Sequence, residues 1–317
     1  MRAAIAGGRG ERMLICLATY NGATWLPPQL DSLLTQDDED WRLLVSDDGS
    51  DDATGEILQE YLRKDSRIVL LPTRSGPRGP SANFEYLLGQ VQQQCRVDSE
   101  LVALCDQDDV WRSDKLSLSR QMLDRHLGCC SDLALTHADG SLSGQRLLRQ
   151  LASNGQVSVS SLLAQNTAVG CTLAFRSSVL ELALPFPESL MNHDWWLALC
   201  ISVAGGLGLI DEPLVQYRQH ANNSIGAYRP AQQIAKSRTL LLRQHRVLRS
   251  QYEAVEILRG RLVERHQAVP EILDDYLRVL GDSSTRRRVT GLLSGAFAAP
   301  HKPLRILRSL AAVRSFR

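Results

Sequence analysis

At 317 residues the chain can hold one large domain or two smaller ones, and 44% hydrophobic with 22% charged residues exclude a disordered chain. No apolar run reaches the length of a membrane span, the longest being cut by Gly205, Gly206 and Gly208, and the apolar core at the start is too short for a signal peptide. The net charge of +1 conceals a polarity: residues 228–317 carry 18 Lys and Arg against 7 Asp and Glu, whereas the first 227 carry 18 against 28.

In chain order, Ala6-Gly7-Gly8-Arg9-Gly10 resembles the phosphate loop of sugar nucleotidyltransferases. Such a loop follows a buried strand, yet here the better strand, residues 13–19, comes after it. Residues 1–12 therefore read as a leader, with a nucleotidyltransferase as an alternative. Tyr20-Asn21-Gly22 is a turn, and Leu26, Leu30, Leu33 and Leu34 give residues 23–36 helical spacing. A second strand over 41–46 stops at Asp47-Asp48-Gly49-Ser50, where Gly49 permits a tight turn and residues 50–52 can cap a helix over 53–64. Residues 68–71 make a third strand, 72–80 a Gly/Pro loop and 81–94 a helix. Next, Leu101-Val102-Ala103-Leu104-Cys105 runs apolar into Asp106-Gln107-Asp108-Asp109, the pattern of a buried parallel strand ending at a ligand crevice. Alternating strands and helices specify an α/β fold with a mainly parallel sheet.

Beyond this point the spacing predicts a helix over 114–126, a strand over 133–137, a less periodic stretch to 165, and a loop entering a strand over 166–175. Asn192-His193-Asp194-Trp195-Trp196 opens an apolar helix, and residues 207–220 read as extended segments ending in Tyr217-Arg218-Gln219-His220. From about residue 230 the chain changes to long helices interrupted by Pro270 and Gly281. The expected division is a leader (1–12), an α/β domain (13–227) and a basic helical region (228–317). Seven cysteines without C-x-x-C spacing predict reduced thiols in a cytoplasmic setting.

Carboxylates crowded at a strand end repel one another unless a cation lies between them, and oxygen ligands suit Mg²⁺ or Mn²⁺. A bare D-x-D-D is equally a capping turn for the helix that follows it. Taken in order, Thr19-Tyr20-Asn21, Asp47-Asp48-Gly49-Ser50, Asp106-Gln107-Asp108-Asp109, His193-Asp194-Trp195-Trp196 and Tyr217-Arg218-Gln219-His220 resemble the motifs of family 2 glycosyltransferases with the GT-A fold. Within that family the chain is most similar to the bacterial rhamnosyltransferase type, over residues 13–225.

The resemblance implies an inverting transfer from a nucleotide-diphosphate sugar, dTDP-rhamnose or a UDP-sugar, to a saccharide or lipid-linked acceptor in cell-surface polysaccharide synthesis. It implies that Thr19, Tyr20, Asn21, Asp47 and Asp48 hold the nucleotide, a carboxylate being able to accept an N–H of uracil or thymine. Asp106, Asp108 and His220 would hold the divalent ion and diphosphate, Asp109 would orient them, and Arg218 would reach the diphosphate as a fork. Arg78 and Asn83 lie beside the donor. Asp194 matches the general base, with a helix cap as its alternative role, and His193 stands where many members carry Glu. Gly170, Cys171, Trp195 and Trp196 would line the acceptor side, although at least one tryptophan reads as core.

The basic residues beyond 277 alternate with leucines, which fits peripheral contact with the inner face of the plasma membrane, a face packed on the catalytic domain, or a dimer contact. Nucleic acid is not an expected partner, because no aromatic interleaving accompanies the charge. A non-catalytic adaptor at a lipid surface, its acidic loops serving only as caps, is the remaining alternative.

Overall fold

The computed structural model describes residues 11–94, 100–146, 155–220 and 238–281. Its first half alternates as the spacing predicts: β1 (Arg12–Thr19), α1 (Leu26–Leu34), β2 (Trp41–Asp47), α2 (Thr54–Lys64), β3 (Ile68–Leu70), α3 (Pro80–Gln94) and β4 (Glu100–Asp106). There follow β5 (Val110–Trp111), α4 (Lys115–Leu123), β6 (Gly128–Thr136), β7 (Leu142–Arg146), β8 (Gln156–Val157), α5 (Val159–Ala164), β9 (Ala174–Arg176), α6 (Leu180–Ala183), α7 (His193–Ala204) and β10 (Leu207–Arg218). Two further helices, α8 (Arg238–Glu264) and α9 (Glu271–Gly281), lie on either side of Pro270. The leader up to residue 10, the boundary near 230 and the basic tail from 282 lie outside the described residues.

The strands form one sheet in the order β3-β2-β1-β4-β9-β6-β10-β5, with β7 on β6 and β8 on β10. β1 pairs parallel with both β2 and β4, Thr19 opposite Asp47 and Ala18 opposite Asp106, so three strands end at one level. The chain builds outward from β1 through β2 to β3 and then crosses back to place β4 on the other side of β1. That reversal opens a crevice at the carboxyl ends, the usual ligand position in open α/β sheets. Farther along, β9 is antiparallel to β4 and β6 while β10 is parallel to β6, so the sheet is mixed beyond its first four strands.

Alternation along β1 explains its unbroken apolar run. Leu14 and Cys16 face a layer containing Phe84 of α3 and Trp195 of α7, whereas Met13, Ile15 and Leu17 face Leu26 and Leu30 of α1 and Leu116 of α4. Both faces are covered, which removes the polar alternation of a half-exposed strand. Val255, Leu258 and Leu262 of α8, with Leu273 and Tyr276 of α9, join the first layer. Among the described residues no helix is long and apolar enough to cross a membrane.

Element boundaries shift for local reasons. The N–H groups of Trp25 and Leu26 both donate to Gly22 O at 2.9 Å, so α1 starts after a turn, at Leu26, with proline in its first turn. β6 starts at Gly128, ahead of the expected 133, because Gly128 to Ser131 are all buried and show no alternation. The stretch before 165 contains the short β7, β8 and α5, of which β7 is mostly exposed.

Candidate active site

At the end of β2, Asp47 is consumed by its own turn. Its carboxylate accepts Thr19 Oγ1 at 2.8 Å, Ser50 Oγ at 2.6 Å, Ser50 N at 2.8 Å and Gly49 N at 3.1 Å. Gly49 has φ +83°, and a Cβ there would meet Arg78 Nη2 at 2.9 Å, so the Arg78 guanidinium rests on this turn. Asp48 is buried and accepts Arg74 Nη2 at 2.5 Å and Gly79 N at 2.7 Å. Asn21 links the neighbouring loop to the same turn, its N–H donating to Ser50 Oγ and its Oδ1 accepting Asp51 N, both at 2.9 Å. Tyr20 is half exposed above this end of the crevice. Asn83 is buried, and its Nδ2 donates to Ser46 O at 2.9 Å, bracing α3 on β2.

The end of β4 is different. Asp109 is fully buried; its Oδ1 accepts the Arg218 N–H at 3.2 Å, and its Oδ2 has no nitrogen or oxygen partner among the described residues. Ligand atoms of Asp106, Asp109 and Cys171 lie within 4.8 Å of one another. Burial, and then the neighbouring Asp108, push the Asp109 carboxyl up to about 7. Burial, then the charges of Asp109, Asp108 and Asp194, hold Asp106 well above the usual carboxylate range. Lys115 is 1% exposed, with Nζ 4.0 Å from the Trp111 ring centroid and no hydrogen-bond partner among the described residues. Its burial lowers its pKa, and Asp109 is among the groups that offset this.

This donor set fits a hard divalent cation. Burial keeps the Cys171 thiol protonated, a weak donor toward Asp109, so the oxygens of Asp106 and Asp109 are the ligands on offer, and Asp109 Oδ2 has no nitrogen or oxygen donor among the described residues. The three residues expected at the metal divide into neighbours: Asp106 stands with Asp109, while Asp108 Oδ2 lies 2.9 Å from His220 Nε2.

Across the crevice, α7 begins with Asn192 at its N-cap position, so Asp194, two residues on, is not the cap. Asp194 is 5% exposed, and its Oδ1 accepts the Trp195 N–H at 2.7 Å. The His193 ring stacks on Phe84 with centroids 4.6 Å apart, and its Nδ1 lies 3.3 Å from Ser81 Oγ. Burial depresses its pKa, leaving a neutral imidazole at pH 7. A Cβ on Gly170 would stand 3.5 Å from Asp194 Cβ and 3.6 Å from His193 Nε2, so Gly170 borders both residues.

Three expectations for the acceptor side need correction. Trp195 and Trp196 are 1% and 0% exposed, and their ring N–H groups donate to Leu162 O and Ala183 O at 2.8 and 2.9 Å. Neither ring has a face to offer a sugar; both fill the core under α7. Cys171 is likewise buried, against Asp109.

β10 closes the site beside β4. Arg218 donates through Nε to Asp108 O and through Nη1 to Ala138 O, both at 3.1 Å, so its guanidinium ties two loops by their carbonyls. Gln107 completes the frame: Oε1 accepts Tyr20 N and Nε2 donates to Tyr20 O, each at 2.9 Å. A Cβ on Gly22 would come 2.2 Å from Gln107 Oε1, so this clamp requires glycine there.

Residues 14–151 match the family model described as Glycosyl transferase family 2. Over those residues the chain carries a family 2 glycosyltransferase domain. The glycosyltransferase is 29% identical over 225 residues to the dTDP-rhamnosyl transferase RfbG of Shigella flexneri, an alignment covering 67% of this chain and 74% of RfbG. Among solved structures it is similar to S. aureus TarS 1–349 in complex with UDP-GlcNAc, with a TM-score of 0.56 and 17% identity over 90% of this chain and 88% of that one. It is also similar to the mannosyltransferase PcManGT of Pyrobaculum calidifontis in complex with GDP-Man and Mn²⁺, with a TM-score of 0.52 and 18% identity over 96% and 80% of the two chains. At such identities the structural likeness establishes the fold, GT-A, with helices after the sheet.

Four residues of this enzyme's crevice escape a reading of the motifs alone: Trp25, Arg74, Gln107 and Lys115. Gln107 stands inside the acidic motif, and an amide between carboxylates is a usable sign of a clamp. The others carry no local signal, since Trp25 falls in an apparent helix, Arg74 in a Gly/Pro loop and Lys115 on an ordinary helical turn.

Proposed function

We propose that the enzyme moves a sugar from a nucleoside-diphosphate donor, dTDP-rhamnose or a UDP-sugar, to a hydroxyl of a saccharide or lipid-linked acceptor with inversion at the anomeric carbon. The observation that carries this reading is that one turn borders both groups: a Cβ on Gly170 would stand 3.5 Å from Asp194 Cβ on α7, and the next residue, Cys171, lies with the Asp106 and Asp109 carboxylates at the end of β4. One carboxylate stands where an acceptor hydroxyl could approach and the other where a diphosphate would lie. Tyr20 and Arg78 are the groups near the β2 end that a pyrimidine nucleotide would meet, with Asp48 held by Arg74 and Gly79. RfbG, a dTDP-rhamnosyl transferase by name, supports the donor class.

In this mechanism Asp194 takes the acceptor proton through its other oxygen as the hydroxyl attacks the anomeric carbon from the face opposite the diphosphate, and the bond from that carbon to the diphosphate oxygen breaks. The Trp195 N–H fixes the carboxylate while this happens. Asp106 and Asp109, with Asp108 and His220 beside them, would hold Mg²⁺ or Mn²⁺, which supplies charge neutralisation for the leaving diphosphate. Residues 13–227 would form the catalytic unit, with α8 and α9 packed on it, and the basic tail beyond them would meet an anionic membrane surface that presents the acceptor.

The test is transfer from dTDP-rhamnose and a panel of UDP-sugars to lipid-linked saccharides with Mn²⁺, followed by NMR of the new anomeric centre. Transfer with inverted configuration is expected. A retained configuration, or no transfer from any donor of these classes, would contradict the reading.

A further inference from the structure

Trp25 stands apart from the other tryptophans. Trp41, Trp111, Trp195 and Trp196 are at most 3% exposed and belong to the core, whereas Trp25 is half-buried at the mouth of the crevice. It occupies the N-cap position of α1, where Ser, Thr, Asp or Asn would supply a side-chain acceptor, and it makes no side-chain capping bond. The sequence therefore gives up a favourable cap to place an indole here.

The indole meets the closing strand end. Its ring stacks on His220 with centroids 5.0 Å apart and planes inclined by 21°, and the Arg218 guanidinium carbon lies 5.0 Å from its centroid. His220 in turn pairs with Asp108, and Arg218 ties down the Asp108 carbonyl. On its other side Trp25 continues the nucleotide loop, whose Gly22 and Ala23 N–H groups donate to Thr54 Oγ1 and Asp52 Oδ2 at 2.9 and 3.0 Å. One rigid aromatic ring thus spans the loop after β1 and the loop after β10. Stacking and cation–π contact are each worth enough to bias a side chain among its rotamers.

We propose that Trp25 is a positioning residue: its indole fixes the His220 ring, and with it the Asp108 carboxylate, for diphosphate and metal binding, so that the nucleotide loop and the diphosphate end are set together. The proposal rests on the reading of Asp108 and His220 as the diphosphate end. Residues that orient a metal ligand change metal affinity by about 10- to 100-fold when lost.

The experiment measures Mn²⁺-dependent UDP and dTDP affinity by titration calorimetry in wild type, W25A, W25L, W25F, H220A and the double variant W25A/H220A, with a melting curve for each. W25A and W25L are expected to bind about tenfold more weakly, W25F to recover most of the affinity, and W25A to add nothing in the H220A background. Uridine and thymidine, which lack the diphosphate, are expected to bind all variants alike. The proposal is overturned if W25L binds as well as W25F, if the losses from W25A and H220A add, or if W25A binds like wild type. If H220A itself leaves affinity unchanged, the assignment of the diphosphate end fails and the proposal with it. If H220A weakens binding and W25A does not, the platform alone fails.

Discussion

The ends of β2 and β4 look alike as sequence, each a short apolar strand running into a carboxylate cluster, yet the chain treats their charge in opposite ways. Asp47 receives four donors from its own turn and from Thr19, and Asp48 receives Arg74 and Gly79. At β4, Asp109 keeps a buried oxygen without a nitrogen or oxygen partner among the described residues, and the nearby buried cation, Lys115, makes no hydrogen bond to any of them. A carboxylate saturated by fixed donors is indifferent to what solution supplies. One left unsatisfied must take up a proton or a cation. The first end is a rigid frame and the second is built to be completed.

The largest expected effect lies on the wall that faces the β4 end. Asp194→Asn should lower kcat by roughly 10²- to 10⁴-fold, the usual contribution of a general base. Its melting temperature should scarcely move, because Asp194 lies two residues past the N-cap position of α7 and an asparagine oxygen can still accept the Trp195 N–H. Turnover near that of wild type would remove Asp194 from the mechanism.

Stability should separate the two acidic ends. Asp47→Ala strands Thr19, Gly49 and Ser50 donors and should cost about 2 kcal/mol or more, read from chemical denaturation. Asp109→Asn relieves carboxylate repulsion at β4 and should leave stability in metal-free buffer unchanged or raised. A larger loss for Asp109→Asn than for Asp47→Ala would reverse the contrast.

A smaller effect is the pH dependence of the metal-free protein. The folded pKa of Asp109, about 7, lies above its ordinary value of 3.8, so folding favours its protonated form. The resulting stabilisation is complete below about pH 4 and is lost as pH rises through 7. Melting temperature in EDTA should therefore carry a falling component between pH 5 and 8. Asp109→Asn should remove that component, and saturating Mn²⁺ should oppose it, since binding releases the proton. A pH profile identical in wild type and Asp109→Asn would show that this carboxyl is not the responsible group.

Much of this was legible in the sequence, and the reasons differ by element. β1, β2 and β4 are continuous apolar runs because both their faces are covered, and the acidic residues that stop them mark the crevice. Hydrophobic patterning also found α2 and α3 close to their true bounds, and the start of α7. What it could not give was direction: Trp195 and Trp196 follow Asp194 in one motif, yet helical rotation sends both into the core. Arg218 matched a phosphate-binding motif, and its bonds to carbonyls of loops distant in sequence had no local signal. The split between Asp47 and Asp109 was equally hidden, since donors such as Thr19, Arg74 and Gly79 come from other elements.

The contrast between the two ends is tested most directly by the dependence of UDP and dTDP affinity on divalent ion, measured by thermal shift in Mn²⁺ and in EDTA for wild type and Asp108→Ala. The expected result is stabilisation of wild type by nucleotide with Mn²⁺ and little with EDTA, and for Asp108→Ala a weak shift that is the same in both buffers. Equal stabilisation of wild type in Mn²⁺ and EDTA would contradict a β4 end that a cation completes.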